Sequence, residues 1–136
     1  MIHLVSLLYF SEDVILSFNK LNGTVPEEIF EVRSLKKLIL AHNELSGQIS
    51  WKIGDLPDLK TFNISHNNLI GKIPFEIYDS LSLESLDVSN NEINDNLSAK
   101  FEYMTTLKHL HLEVNAFEGN VPSELGNLNL GMCVVQ

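Results

Sequence analysis

The chain has 136 residues and a single cysteine, Cys133, so it can close no internal disulfide, and its redox compartment stays open. Cys133 also lies outside the regular part of the sequence and reads as a bystander. No apolar run approaches the ~20 residues that a membrane helix needs. The opening MIHLVSLLYF has no Lys or Arg ahead of its apolar run and no small-residue cleavage site, so it does not read as a secretory leader. Basic side chains are few: nine Lys and Arg against eighteen Asp and Glu give a formal charge of −9. No basic stripe exists to displace counterions from phosphates, which excludes a nucleic-acid partner. There is no Gly-rich phosphate loop and no H-R-D or D-F-G element. No Ser/His/Asp or Cys/His grouping rises above chance. Neither a catalytic residue nor a cofactor is expected.

What the chain does contain is one phrase, written five times. FNKLNGTVP (18–26), HNELSGQIS (42–50), HNNLIGKIP (66–74), NNEINDNLS (90–98) and VNAFEGNVP (114–122) place Asn19, Asn43, Asn67, Asn91 and Asn115 every 24 residues. Self-similarity at such a period marks a stack of repeats, each touching only its neighbours. The unit beginning at Leu107 reads LKHLHLEVNAFEGNVP, with apolar residues at 107, 110, 112, 117 and 121 around Asn115, Gly119 and Pro122. Over five units this template fails only at Ser11, Ser50, Ser98 and Asp95. Alternation such as Leu110–His111–Leu112 predicts a short strand. The pairs Ile29/Val32, Ile53/Leu56, Ile77/Ser80, Phe101/Met104 and Leu125/Leu128, three apart, predict a short 3₁₀ turn opposite it. Ser80 is the weak member, with Leu81 as its expected substitute. Successive strands must then lie parallel. The asparagines are expected to bond the backbone of their own loop and of the next coil, satisfying groups that turn into a dry interior.

These residues resemble the leucine-rich repeat family, L-x-x-L-x-L-x-x-N-x-L. The continuation LSGQIS, LIGKIP and FEGNVP is similar to the 24-residue plant-type class of receptor-like proteins, receptor-like kinases and polygalacturonase inhibitors. The resemblance implies an α/β solenoid: a right-handed superhelix with a parallel sheet on its concave face, short 3₁₀ turns on the convex side, and a second shorter strand from the x-L-x-G-x-I-P segment. The family's paired-cysteine caps are absent. The expected organisation is a partial or degenerate repeat over 1–10, five repeats over 11–130, and a truncated end over 131–136 where Gly131 replaces a Leu. The ends are expected to be uncapped, as in a piece of a longer receptor.

In this family the outward strand positions form the contact platform. Here the resemblance points to Lys36, Lys37, Ile39, His42, Lys60, Asn63, His66, Asp87, His109 and His111. The positions filled by Ser17, Ala41, Ser65, Ser89 and Glu113 are counted with them. The face opens with a modest basic group (Lys36, Lys37, Lys60) and continues to an acidic one (Glu84, Asp87). Aromatic and Arg anchors are almost absent. A zinc site needs three or four ligands. His109 and His111 have only Glu113 as an obvious third, and His42 and His66 have none. Ordinary exposed histidines explain the pattern, so no metal is expected. Sequons at Asn22, Asn63 and Asn96 fit an extracellular protein, although sugar on Asn63 would obstruct the platform. Three functions stay open: a protein or peptide recognition module of an extracellular receptor-like protein, the ectodomain of a receptor kinase, or a spacer without a partner. A membrane would be met only through sequence outside this chain.

Overall fold

The computed structural model describes residues 8–135. The expected partial repeat at 1–10 therefore lies mostly outside the described residues. Nine short strands follow in chain order: β1 (Asp13–Ile15), β2 (Asn22–Gly23), β3 (Lys37–Ile39), β4 (Glu44–Gly47), β5 (Thr61–Asn63), β6 (Asn68–Leu69), β7 (Ser85–Asp87), β8 (His109–His111) and β9 (Met132–Val134). One parallel sheet of six strands has the order β1-β3-β5-β7-β8-β9, and a second of three has the order β2-β4-β6. The period-two pleat turns Val14, Leu38, Phe62, Leu86 and Leu110 into the core, while residues on either side of each face outward. This is the leucine-rich repeat solenoid that the motif implied.

Opposite the strands run five 3₁₀ turns, Glu27–Glu31, Trp51–Asp55, Phe75–Asp79, Ala99–Tyr103 and Ser123–Asn127. They bury Ile29, Ile53, Ile77, Phe101 and Leu125, together with Val32, Leu56 and Met104. Three of the turns start after proline. Ser50 and Ser98, the two departures from that slot, instead accept a hydrogen bond from the backbone N–H of Lys52 and Lys100, so both replacements are side-chain caps.

The two sheets differ in register. In the first, residues pair one full period apart, as Asp13 with Lys37 and Lys37 with Thr61. In the second, pairing is 22 apart, as Asn22 with Glu44 and Ser46 with Asn68. Each coil is thus displaced along its neighbour by two residues on one flank and by none on the strand face, which twists the stack. The β8–β9 pairing is 23 apart, His109 with Met132 and Leu110 with Cys133. The last unit is one residue short, so Leu130 and not Gly131 begins the sixth strand motif. The sheet has six strands instead of the expected five, and Cys133 occupies a leucine position. Burial and the nearby Glu113 charge both push the Cys133 thiol up from its ordinary value.

The asparagine ladder runs the other way from the expectation. Asn67 Oδ1 accepts from Leu45 N–H at 2.9 Å, and its Nδ2 donates to Leu40, Ile64 and Ser65 carbonyls at 3.1 Å each. Asn43, Asn91 and Asn115 repeat this pattern, always towards the preceding coil. The reason lies in the parallel ladder, where N–H and C=O of one residue face the same neighbour. Leu40 donates forward to Asn63, so its carbonyl also faces forward, beyond the end of β5. Asn67 reaches back to satisfy it. Among the described residues Asn19 bonds only Leu16 and Ser17 of its own coil, and it is exposed, whereas Asn67 is buried. A second ladder was not foreseen: Ser34, Ser82 and Thr106 hydroxyls donate to the carbonyls of Ser11, Leu59 and Leu83 on the coil before.

Leu81 does not substitute for Ser80. It is 78% exposed, while Tyr78 is buried and meets Phe101 edge-on at 5.0 Å. The column Phe30, Gly54, Tyr78 alternates large, absent, large. A Cβ on Gly54 would lie 2.7 Å from Glu76, so the following turn packs directly against that glycine. Burial, and then the Asp95 charge, push the Tyr78 phenol up to about 12, against an opposing contribution from Ser98. Because the folded value exceeds the unfolded one of about 10, this stabilisation is complete below pH 10 and lost as pH rises towards 12. Wild type should lose roughly 1–2 kcal/mol across that window, and Tyr78→Phe should lack this phase in urea melts taken from pH 9 to 12.

Candidate functional site

The strand face is built by the outward pleat positions and by the residues that end each strand. Phe18, His42, His66, Asn90 and Val114, each just before a ladder asparagine, have φ between 52° and 58°. This left-handed turn takes the chain off the strand and leaves their side chains on the rim. It suits Asn90 and is strained for a β-branched residue such as Val114. Val114 is 60% exposed and so surrenders little packing if replaced. Val114→Asn should raise stability by about 1 kcal/mol in chemical denaturation; no gain would mean that the strain is relieved elsewhere.

The expected basic group is neutralised. Lys36 meets Glu12 at 2.8 Å, Lys37 meets Asp13 at 3.6 Å, and Lys60 and Lys108 meet Glu84 at 3.4 and 2.6 Å. The hydrogen bond to Glu12 raises the Lys36 ammonium, and the Lys108 bond, followed by Lys60, lowers the Glu84 carboxyl. Lysines and carboxylates that share a column are 24 residues apart, hence one strand spacing apart, and they pair across coils.

The positions of Ala41, Ser65 and Ser89 are buried, so they are not platform. Asn63 Oδ1 accepts from both the N–H and the hydroxyl of Ser65, and Asp87 Oδ1 does the same with Ser89. Glu113 occupies this small-residue row. Its Oε1 lies 3.3 Å from His111 Nδ1, and its Oε2 is buried without a hydrogen-bond partner among the described residues. His42 stacks between Phe18 and His66, with ring centroids 4.3 and 4.0 Å away and planes within 12° of parallel. That ring column is what the structure makes of His42 and His66. Among the described residues no group of three His, Cys, Asp or Glu side chains is placed to hold a metal ion. His109 pairs with Ser85 and Ile39 with Ile15 and Asn63 across the sheet, all facing outward.

Two other features bear on where a ligand could sit. An apolar cavity of about 210 Å³ at the first coil, lined by Leu8, Leu16, Leu21, Val25, Ile29 and Leu45, continues the core and has no charged group in its wall. No helix among the described residues is long and apolar enough to cross a membrane.

Family models described as Leucine Rich repeats (2 copies), Leucine Rich repeat and Leucine Rich Repeat match residues 33–76, 79–96 and 106–128. No curated protein matches significantly. Among solved structures, the chain is similar to the ectodomain of the Arabidopsis thaliana plant membrane receptor kinase GASSHO1/SCHENGEN3, determined with CASPARIAN STRIP INTEGRITY FACTOR 2, at 31% identity and TM-score 0.86. The likeness covers 93% of this chain and 15% of that one. It is also similar to the Arabidopsis receptor kinase HAESA, determined with the peptide hormone IDA and the co-receptor SERK1, at 31% identity, TM-score 0.84, and 88% and 20% coverage. The BIR3–SERK2 complex from Arabidopsis thaliana gives 35% identity, TM-score 0.79, and 82% and 60% coverage. The chain thus spans a fifth or less of the two receptor kinase ectodomains. With the repeat period, both sheets and the asparagine ladder already in place, these matches identify it: the chain belongs to the leucine-rich repeat family, in its 24-residue plant type.

Proposed function

We propose that the chain is a non-catalytic recognition module for a protein or peptide, part of an extracellular receptor-like protein, and that contact is made on the six-stranded face. The observation that carries this is a contrast within each strand. The inward residues repeat from coil to coil, whereas the outward ones change at nearly every step, as in Asp13, Lys37, Thr61, Ser85 and His109. A rigid frame with a freely varied face suits recognition. HAESA, determined with the peptide hormone IDA, supports the same reading, and the relatives that are receptor kinases favour coupling to a kinase elsewhere in the protein. Asn22 and Asn96 are exposed on the second-sheet flank, so sugars there would leave the strand face open. A mature glycan on Asn63 would close it.

The test is a random peptide library panned against the chain. Binders should be lost when Thr61→Trp and Ser85→Trp fill the strand face. They should be retained with Asp55→Trp in a 3₁₀ turn on the other side. Binders indifferent to the strand-face block, or no binders, would favour a spacer.

A further inference from the structure

The strand face is chemically divided. At its first coils, Ile15 and Phe18 are 59% and 78% exposed, and Phe18 begins the ring stack with His42 and His66. Phe18 holds a left-handed backbone and leaves a large apolar side chain in water, so the fold gains little from that choice. At the fourth and fifth coils lie Asp87 and Glu113, each with one carboxylate oxygen committed. Both Ser89 bonds fall on Asp87 Oδ1, and His111 approaches Glu113 Oε1. Glu113 Oε2 is buried and lacks a donor among the described residues, a condition that buried acceptors rarely keep. The lysines of the strand face lie against other carboxylates. Lys36, Lys37, Lys60 and Lys108 are all paired with Glu12, Asp13 or Glu84.

We propose that the preferred occupant of this face is an extended peptide segment carrying an aromatic or aliphatic side chain and, about three residues away, a Lys or Arg. This rests on the recognition reading above and names its ligand chemistry. The apolar group lies against Ile15, Phe18 and His42, and the cation sits at Asp87 with the uncompensated Glu113 charge beside it. The spacing follows from the sheet. His42 and Asp87 belong to coils two strand steps apart, about 10 Å across the strands, which an extended peptide covers in about three residues. The long Lys or Arg side chain spans their offset along the strands. The segment therefore crosses the strands.

The probe is a set of fluorescein-labelled Gly/Ser decapeptides containing Phe and Arg three apart, with Phe→Ala, Arg→Gln and Arg→Glu versions, read by anisotropy. The Phe/Arg peptide should bind roughly tenfold tighter than either single replacement, and Arg→Glu should be the weakest. The double variant Asp87→Asn, Glu113→Gln preserves shape and the Ser89 bonds. It should abolish the advantage of Arg while keeping that of Phe; Phe18→Ser should do the converse. Thermal melts of both variants check that the fold is kept. Equal binding of the Arg, Gln and Glu peptides, or an Arg advantage that survives in the double variant, overturns the proposal. So does failure of the whole set to bind. In each case strand-face recognition stands if library binders are still lost on Thr61→Trp with Ser85→Trp, and it falls if they are not.

Discussion

Asn67→Leu should unfold at far lower denaturant than wild type, by about 3–5 kcal/mol, whereas Asn19→Leu should be nearly silent. The side chains are the same and the sequence positions equivalent, so the difference isolates burial and connectivity. Asn67 is buried and makes four hydrogen bonds, two of them to the coil before. Leucine there strands the Leu45 N–H and the Leu40 carbonyl in a dry interior, at about 1–3 kcal/mol for each group. Asn19 is exposed and, among the described residues, bonds only its own coil, so water can replace it. Urea titration of both variants is the measurement. A loss below 1 kcal/mol at Asn67, or equal losses at both sites, would show that the amides do not hold the coils together.

The same ladder explains what could and could not be read in advance. Asparagine at a fixed period signals a backbone group that needs a partner, and the repeat fold follows from that. Which coil it bonds depends on the direction of strand carbonyls, which no periodicity encodes. The hydroxyl ladder of Ser34, Ser82 and Thr106 did leave a trace, a Ser or Thr just before Leu35, Leu83 and Leu107. It was too common a residue type to stand out, and Asp58 breaks the row. The sixth strand escaped because a one-residue deletion shifts every later slot, turning Leu130 into an apparent misfit. For the strand face, sequence alone places Lys36, Lys60, Glu84 and Lys108 in one column. Whether a column is basic depends on pairing across coils, and here each lysine has a carboxylate one strand away. In the sequence the buried row of Ala41, Ser65 and Ser89 reads as surface, because the strand's alternation continues through it. The left-handed residue that follows turns that row inward.

Phe101→Ala should cost about 3–5 kcal/mol, the range for truncating a large core aromatic, while Leu81→Ala should stay within ~0.5 kcal/mol. Phe101 is fully buried and meets the buried Tyr78 edge-on at 5.0 Å. Leu81, the residue next in line by spacing, lies in water. The contrast therefore asks where the core between the third and fourth coils is. Because a repeat stack couples only neighbours, a cavity here should also weaken the joint between the third and fourth coils. Equilibrium unfolding should then lose its single transition, with the coils up to Tyr78 separating from those that contain Phe101 and follow it. The phenol supplies an independent readout. Its high proton affinity comes first from burial, so the cavity should admit water and bring Tyr78 back towards its ordinary value, which ultraviolet titration would follow. A full-sized stability loss with the phenol still held near 12 would place the damage away from this pair. A small loss would mean that the stack closes over the missing ring.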